Sequence, residues 1–184
     1  MLLFVGCGAP ASPGQDAGAL DAGGCQAPVS YGAALESQTA KYFTGAPSPG
    51  TYDLTAQLGD SGTAADFLIV QLYPGSGVFT GAVQPGSYVL SGSETQWKDC
   101  GVCVLVFADA VFGPDGGVSS VASVYMATGG LVKLDSITPH LSGSLQGLTF
   151  QKVVVGAGFE TTPAGDGCTT SLAMATFDAG VEQL

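Results

Sequence analysis

The sequence contains no arginine; its basic side chains are four lysines, Lys41, Lys98, Lys133 and Lys152, against 15 acids in 184 residues. Affinity for nucleic acid rests on neutralising phosphates, and fork-like recognition of phosphate or carboxylate groups wants guanidinium. With a formal charge of −11, this chain is a poor candidate for that partner, and no nucleic acid is expected. Histidine occurs once, at His140, which reads as part of a Thr-Pro-His turn, and the C-x-x-C at Cys100 and Cys103 has no second copy. A four-ligand structural zinc site is therefore short of ligands. Neither a G-x-G-x-x-G turn nor a P-loop is present, and strand signals do not alternate with helix signals, so nucleotide and dinucleotide enzymes are disfavoured. No cofactor is expected.

What is there is turn-rich and apolar. Glycine accounts for 29 residues and proline for 10, while 46% of the chain is hydrophobic and 10% charged. That mixture is too apolar for disorder and too rich in turn formers for a helical protein. The length suits one domain plus a tail, and a domain of this size buries roughly two thirds of its unfolded surface. The acids are scattered at turns and read as a solubility device.

From residue 50 onward, short apolar runs alternate with turn signals. Thr51-Tyr-Asp-Leu-Thr-Ala-Gln-Leu58 sets Tyr52, Leu54, Ala56 and Leu58 on one face at period two, the mark of a half-buried strand. Asp66-Phe-Leu-Ile-Val-Gln-Leu-Tyr73 is almost continuously apolar and reads as a central strand. Ser87 to Leu90, Val102 to Ala108 and Thr169 to Phe177 read as further strands, with a turn cluster at Phe112-Gly-Pro-Asp-Gly-Gly-Val118. Thr128-Gly129-Gly130 reads as a hairpin between strands at 121–127 and 131–137, and 141–148 and 150–155 read as two separate strands. Tyr31 to Tyr42 carries a weak helical hint. The expected fold is all-β: an antiparallel, jelly-roll-like sandwich of about nine or ten strands, with a small β-barrel as the alternative.

The first residues have a different character. Phe4-Val-Gly-Cys7 resembles the lipobox of bacterial lipoproteins, in which a cysteine is lipidated and becomes the mature N-terminus. The five apolar residues before Gly6 are too few for a membrane span or a full secretory core, so residues 1–7 are read as the remnant of a lipoprotein signal peptide. Phe4, where leucine is usual, and the lack of a basic start depart from the pattern. Residues 8–24 are built of Gly, Ala, Pro, Ser and Asp, with Asp-Ala-Gly at 16–18 and again at 21–23. Such a stretch cannot bury enough apolar surface to offset the entropy of ordering it, so a disordered tether is expected before a single β domain over 25–184.

With Cys7 assigned to lipid, four cysteines remain, and they pair in three ways. A redox centre of the thioredoxin kind needs its C-x-x-C at a helix start, whereas Cys103 leads into the strand-like Val104-Leu-Val-Phe107. A structural clip, Cys100 to Cys103, is favoured over free thiols. An extended chain would hold Cα atoms three apart at about 10 Å, so the clip requires a turn, which Gly101 eases. The complementary bridge is Cys25 to Cys168.

Several chemistries are weighed against ordinary structure. Gly59-Asp-Ser-Gly62 matches the tetrapeptide around a chymotrypsin-like nucleophile, but it consists of turn residues between two strands, and Ser61 is read as one of them. Asp60, Asp66, Asp109 and Asp115 lie in or near turns without a D-x-D-x-D-G loop, so they are read as solvated and not as metal ligands. Trp97, in the polar loop Glu94-Thr-Gln-Trp-Lys-Asp99, is the candidate binding residue; the alternative is a lid over the Cys100–Cys103 clip.

Pro85-Gly-Ser-Tyr-Val-Leu-Ser-Gly92 and Cys100-Gly-Val-Cys103-Val-Leu-Val106 resemble uncharacterised secreted lipoproteins of myxobacterial type. Leu72-Tyr73, Ser142-Gly143-Ser144-Leu145 before Val153, and Gly167-Cys168 extend that resemblance over roughly residues 50–184. It implies a location and a β fold and carries no catalytic residue. The expectation is a lipid-anchored protein of the cell envelope, at the outer membrane or cell surface, with a non-catalytic binding or structural domain and an unidentified protein or polysaccharide partner. The runner-up is a secreted hydrolase using carboxylates or a loop metal. A third reading, an apolar ligand carried inside a barrel, requires an empty interior.

Overall fold

Where apolar residues recur at every second position the backbone runs as strand, because that spacing puts one face against a core. The computed structural model describes residues 24–45, 49–59, 64–113 and 117–184. The expectations for Cys7, for the spacer up to residue 23, and for Asp60, Ser61 and Asp115 lie outside these described residues. Among the described residues ten strands follow one another: β1 (Glu36–Tyr42), β2 (Tyr52–Gln57), β3 (Ala65–Leu72), β4 (Gly86–Val89), β5 (Val102–Phe112), β6 (Val118–Ser120), β7 (Ser123–Ser136), β8 (His140–Val155), β9 (Thr161–Pro163) and β10 (Thr169–Gln183).

Pairing runs from β7 through β5, β3, β2, β1, β10 and β8, and β8 pairs again with β7, so seven strands close into a ring. The expected all-β architecture is observed, in its barrel-like form. All pairs in the ring are antiparallel except β1 with β10, which lie parallel through Ala40↔Val181 and Tyr42↔Gln183. Short strands flank the ring, β4 on β7, β6 on β5 and β9 on β8, and it is these that form the sheet's edges.

Inward-facing side chains fill the ring. Leu54, Leu68, Val104, Tyr125, Leu145 and Phe150 are all buried in one cluster, and each contributes roughly 1.5–3 kcal/mol by leaving water. They occupy the interior that an apolar ligand would need. One end is sealed by residues 25–31: Cys25, Ala27 and Tyr31 join the core, and Tyr31 pairs in parallel with Leu172. Cys25 is bonded to Cys168 there, with Cα atoms 5.6 Å apart.

A second cluster lies outside the ring. Ile69, Cys100, Cys103, Leu105, Phe107 and Met126 pack beneath the loop that carries Trp97. β5 is thus covered on both faces, with Val102, Val104 and Val106 inward and Cys103, Leu105 and Phe107 outward. That double burial is why its sequence reads as an unbroken apolar run.

Four expectations are corrected. Residues 36–42 form a strand, because pairing with β2 and β10 outweighs a weak local preference. Gly129-Gly130 is not a hairpin: β7 runs straight through it, with a register irregularity on either side of Gly129. Gly130 takes φ 121° and a Cβ there would sit 2.9 Å from Leu148 Cα, so the glycine serves a bulge with close backbone approach. Likewise 141–148 and 150–155 form one strand, β8, with Gly147 at φ 58° inside it. His140 opens that strand instead of sitting in a turn.

Candidate functional site

On the outer face, strand register assembles what sequence separation hides. Lys41 on β1 lies opposite Asp53 on β2, Asp53 opposite Gln71 on β3, and Gln71 opposite Cys103 on β5. Neighbouring strands lie roughly 4.8 Å apart, so this is a row of polar groups across the sheet. Two residues along each strand, Thr55 and Ile69 continue the same face.

Trp97 is folded over the β5 end of this row. A short 3-10 turn at Gly92–Thr95 precedes it, and the backbone N–H groups of Asp99 and Cys100 both donate to Gln96 O at 3.0 Å, which tightens the loop around the tryptophan. Cys100 and Cys103 are bonded beneath it, Cα atoms 5.3 Å apart, and Cys100 Sγ lies 3.2 Å from the Trp97 carbonyl oxygen.

The loop is anchored by Glu94, whose carboxylate is buried yet fully engaged. It accepts the backbone N–H groups of Val102 at 2.6 Å, Gly101 at 3.0 Å and Val78 at 3.0 Å. A side chain on Gly101 would collide with Ser76 O, so only glycine lets these loops close on the carboxylate.

The indole N–H donates to Gln71 Oε1 at 2.8 Å, and the Tyr73 hydroxyl donates to the same oxygen at 2.9 Å. Gln71 Nε2 donates in turn to Asp53 Oδ2 at 2.9 Å, while Thr55 Oγ1 donates to Asp53 Oδ1 at 3.3 Å. Burial pushes the Asp53 carboxyl above the ordinary carboxylate range, against the opposing pull of Gln71, Thr55 and the Lys41 charge. Tyr73 is pushed up as well, chiefly by burial.

Aromatic neighbours hold the indole. Its ring lies 6.0 Å from that of Phe107 and 4.9 Å from that of Phe159, both tilted. Phe159 is 58% exposed and adopts φ 62°, a left-handed conformation unusual for a bulky residue. Phe107, with Phe43, Phe112 and Val118, borders a groove of about 370 Å³ lined by Lys41, Asp53, Thr55, Gln71 and Trp97. Trp97 both packs with the clip's cluster and lines this groove.

The other residues singled out in the sequence are placed elsewhere. Asp66 is buried, accepting the Tyr31 hydroxyl at 2.7 Å and the Asp109 backbone N–H at 2.8 Å, which makes it an internal anchor and corrects its reading as a solvated turn residue. His140 Nδ1 lies 2.7 Å from Asp178 Oδ1 on an exposed face, and no hydroxyl bonds its other ring nitrogen among the described residues. No cluster of three or more His, Cys, Asp or Glu side chains suited to a metal occurs among the described residues.

Sequence reasoning located Trp97 but missed Lys41, Asp53, Gln71, Glu94 and Phe159. One signal was available: an aspartate in the middle of a strand pattern, where that residue type is depleted. Compared with protein-family models, curated proteins and solved structures, the chain matches none.

Proposed function

We propose that this chain is an extracytoplasmic lipoprotein, held at the membrane by lipid on Cys7, whose barrel is a non-catalytic binding module working through the outer groove. The observation that carries this reading is the fixed Trp97 above the Lys41–Asp53–Gln71 row, an immobilised aromatic beside half-buried polar groups that line a groove. Pockets that bind small ligands combine apolar walls with a few placed polar groups, and this groove has that composition.

Compartment and anchor rest on the Phe4-Val-Gly-Cys7 motif, the spacer over 8–24 and the two buried cysteine pairs. Disulfides persist in oxidising compartments. The outer membrane or the cell surface suits all three. Against a hydrolase, Asp53 is the one acid lining the groove among the described residues. Glycoside cleavage uses two facing carboxyl groups.

The test is fractionation of cells expressing the chain from its own gene. Wild type is expected in the membrane fraction with the mass of added acyl chains, and Cys7→Ser in the soluble extracytoplasmic fraction. Recovery of wild type from soluble cytosol with Cys25, Cys100, Cys103 and Cys168 reduced overturns the reading.

A further inference from the structure

The chemistry of the groove narrows its ligand. Asp53 spends one hydrogen bond on each carboxylate oxygen, so each oxygen retains accepting capacity. Gln71 Oε1 is used twice, by Trp97 and Tyr73, but its amide nitrogen makes one bond and has a second N–H to give. The Lys41 ammonium makes no hydrogen bond or ion pair among the described residues and faces the same row. The floor of the groove is thus a line of one acceptor pair and two donors, with an indole at its end.

Charge and polarity exclude most ligand classes. A wholly apolar ligand would strip water from Asp53, Gln71 and Lys41 and return no hydrogen bonds, a cost of several kcal/mol. An anion meets a chain of net charge −11 with no guanidinium to receive it. A cation is met by Asp53 but opposed by Lys41 in the adjoining strand. What remains is a neutral molecule that carries an apolar face and a rim of hydroxyls, able to donate to the carboxylate and accept from the amide and ammonium.

That description is a pyranose ring. The C–H face of a sugar packs on an aromatic plane, and vicinal hydroxyls suit a carboxylate with free lone pairs. Strand spacing of roughly 4.8 Å along the row is comparable with the length of one such ring, so successive polar groups would meet successive sugars. The indole is already immobilised by Gln71, Phe107 and Phe159, so little side-chain freedom is lost on binding.

We propose, resting on the reading of this groove as the binding site, that it takes a neutral saccharide chain, with Trp97 against a ring face and Asp53, Gln71 and Lys41 on the hydroxyls.

Trp97 is the sole tryptophan and reports on its own site. The full chain is titrated with neutral oligomers of glucose, mannose and N-acetylglucosamine, with polygalacturonate as the anionic comparison, and followed by tryptophan emission. At least one neutral oligomer is expected to shift emission saturably, and Asp53→Asn, checked for an intact fold by its melting curve, to weaken that binding about tenfold or more. No shift with any neutral oligomer, a shift that Asp53→Asn and Lys41→Ala leave unchanged, or tighter binding of polygalacturonate overturns the proposal. A second arm separates this from the broader reading. Immobilised full chain and its Trp97→Ala variant are exposed to detergent-solubilised envelope material before and after periodate, which cleaves vicinal diols. Retention that needs Trp97 and is lost with periodate supports the saccharide. Retention that needs Trp97 but survives periodate and is not displaced by the neutral oligomers sinks the saccharide and leaves the groove a binding site, and retention indifferent to Trp97 removes both.

Discussion

Glu94 accepts the backbone N–H of Val102 at 2.6 Å, and through that bond the loop bearing Trp97 is tied to the first residue of β5. The carboxylate is 1% exposed and also holds Gly101 and Val78, so removing it leaves three amide donors without partners. Each orphaned buried donor costs about 1–3 kcal/mol. Glu94→Ala is therefore expected to lower unfolding free energy by roughly 3–5 kcal/mol in urea, and to red-shift Trp97 emission in whatever fraction stays folded. A midpoint within error of wild type would mean that water replaces the carboxylate without loss.

The two bridges differ in what they restrain. Cys25 and Cys168 are 143 residues apart, whereas Cys100 and Cys103 are three apart. In the chain-entropy model the long closure is worth roughly 4–5 kcal/mol and the short one about 2. Cys25→Ser with Cys168→Ser should therefore move the denaturation midpoint about twice as far as Cys100→Ser with Cys103→Ser. The short pair should instead dominate the change in Trp97 emission, since it lies under that side chain. The reverse ranking in either measurement contradicts the assignment.

How much of this was readable in sequence depends on the range of the contact. β5 announced itself because both its faces are buried, and β2 because Leu54 and Ala56 alternate with polar residues. The long strands β7 and β8 were cut in two, at Gly129-Gly130 and at Thr149; at the first, a glycine that permits a hairpin and one that permits a bulge look alike until a partner strand is known. The groove failed to show for a related reason. Lys41, Asp53 and Gln71 are outward-facing residues on three strands, and only the registers between those strands make them neighbours.

Gly130 allows a direct check of the bulge. Its φ is 121°, and an added Cβ would stand 2.9 Å from Leu148 Cα and 3.0 Å from Gln146 O, both backbone atoms that cannot step aside. Gly129 has no positive φ, and its nearest obstacle is Thr149 Oγ1 at 3.3 Å, the end of a side chain. Gly130→Ala should cost about 2 kcal/mol or more by thermal or chemical unfolding, and Gly129→Ala less than about 1. Equal effects would argue for a hairpin-like flexibility at this point.

Tyr31 bears on alkaline stability. Its hydroxyl donates to buried Asp66, and burial first, then that bond and charge, push its ionisation far above the ordinary value. Above pH about 10 the unfolded chain loses this proton and the folded chain keeps it, so stability falls as pH rises, by up to roughly 1.4 kcal/mol per unit for one group. Tyr31→Phe should cost about 1–2 kcal/mol at pH 7, where Asp66 loses a donor, and should flatten the decline above pH 10 by one proton's worth. Proton uptake measured from the pH dependence of urea unfolding decides it.

Asp53 tests whether the groove is built for folding or for a ligand. Its carboxyl is raised above the ordinary range mainly by burial, so between those two values the folded state binds more protons than the unfolded one. Stability contributed at this position therefore falls as pH rises through that window, and at neutral pH the ionised side chain is held at a standing penalty. Asn at this position keeps the shape and an oxygen for Gln71 while removing the charge. Asp53→Asn should thus be as stable as wild type or more so at pH 7, with the difference vanishing in mild acid as the wild-type carboxyl takes up its proton. A residue selected for stability alone would show the opposite sign. An ionised aspartate retained at a cost in the middle of a strand, beside a tryptophan fixed in place, is understandable when something outside the chain supplies the hydrogen bonds that the barrel withholds.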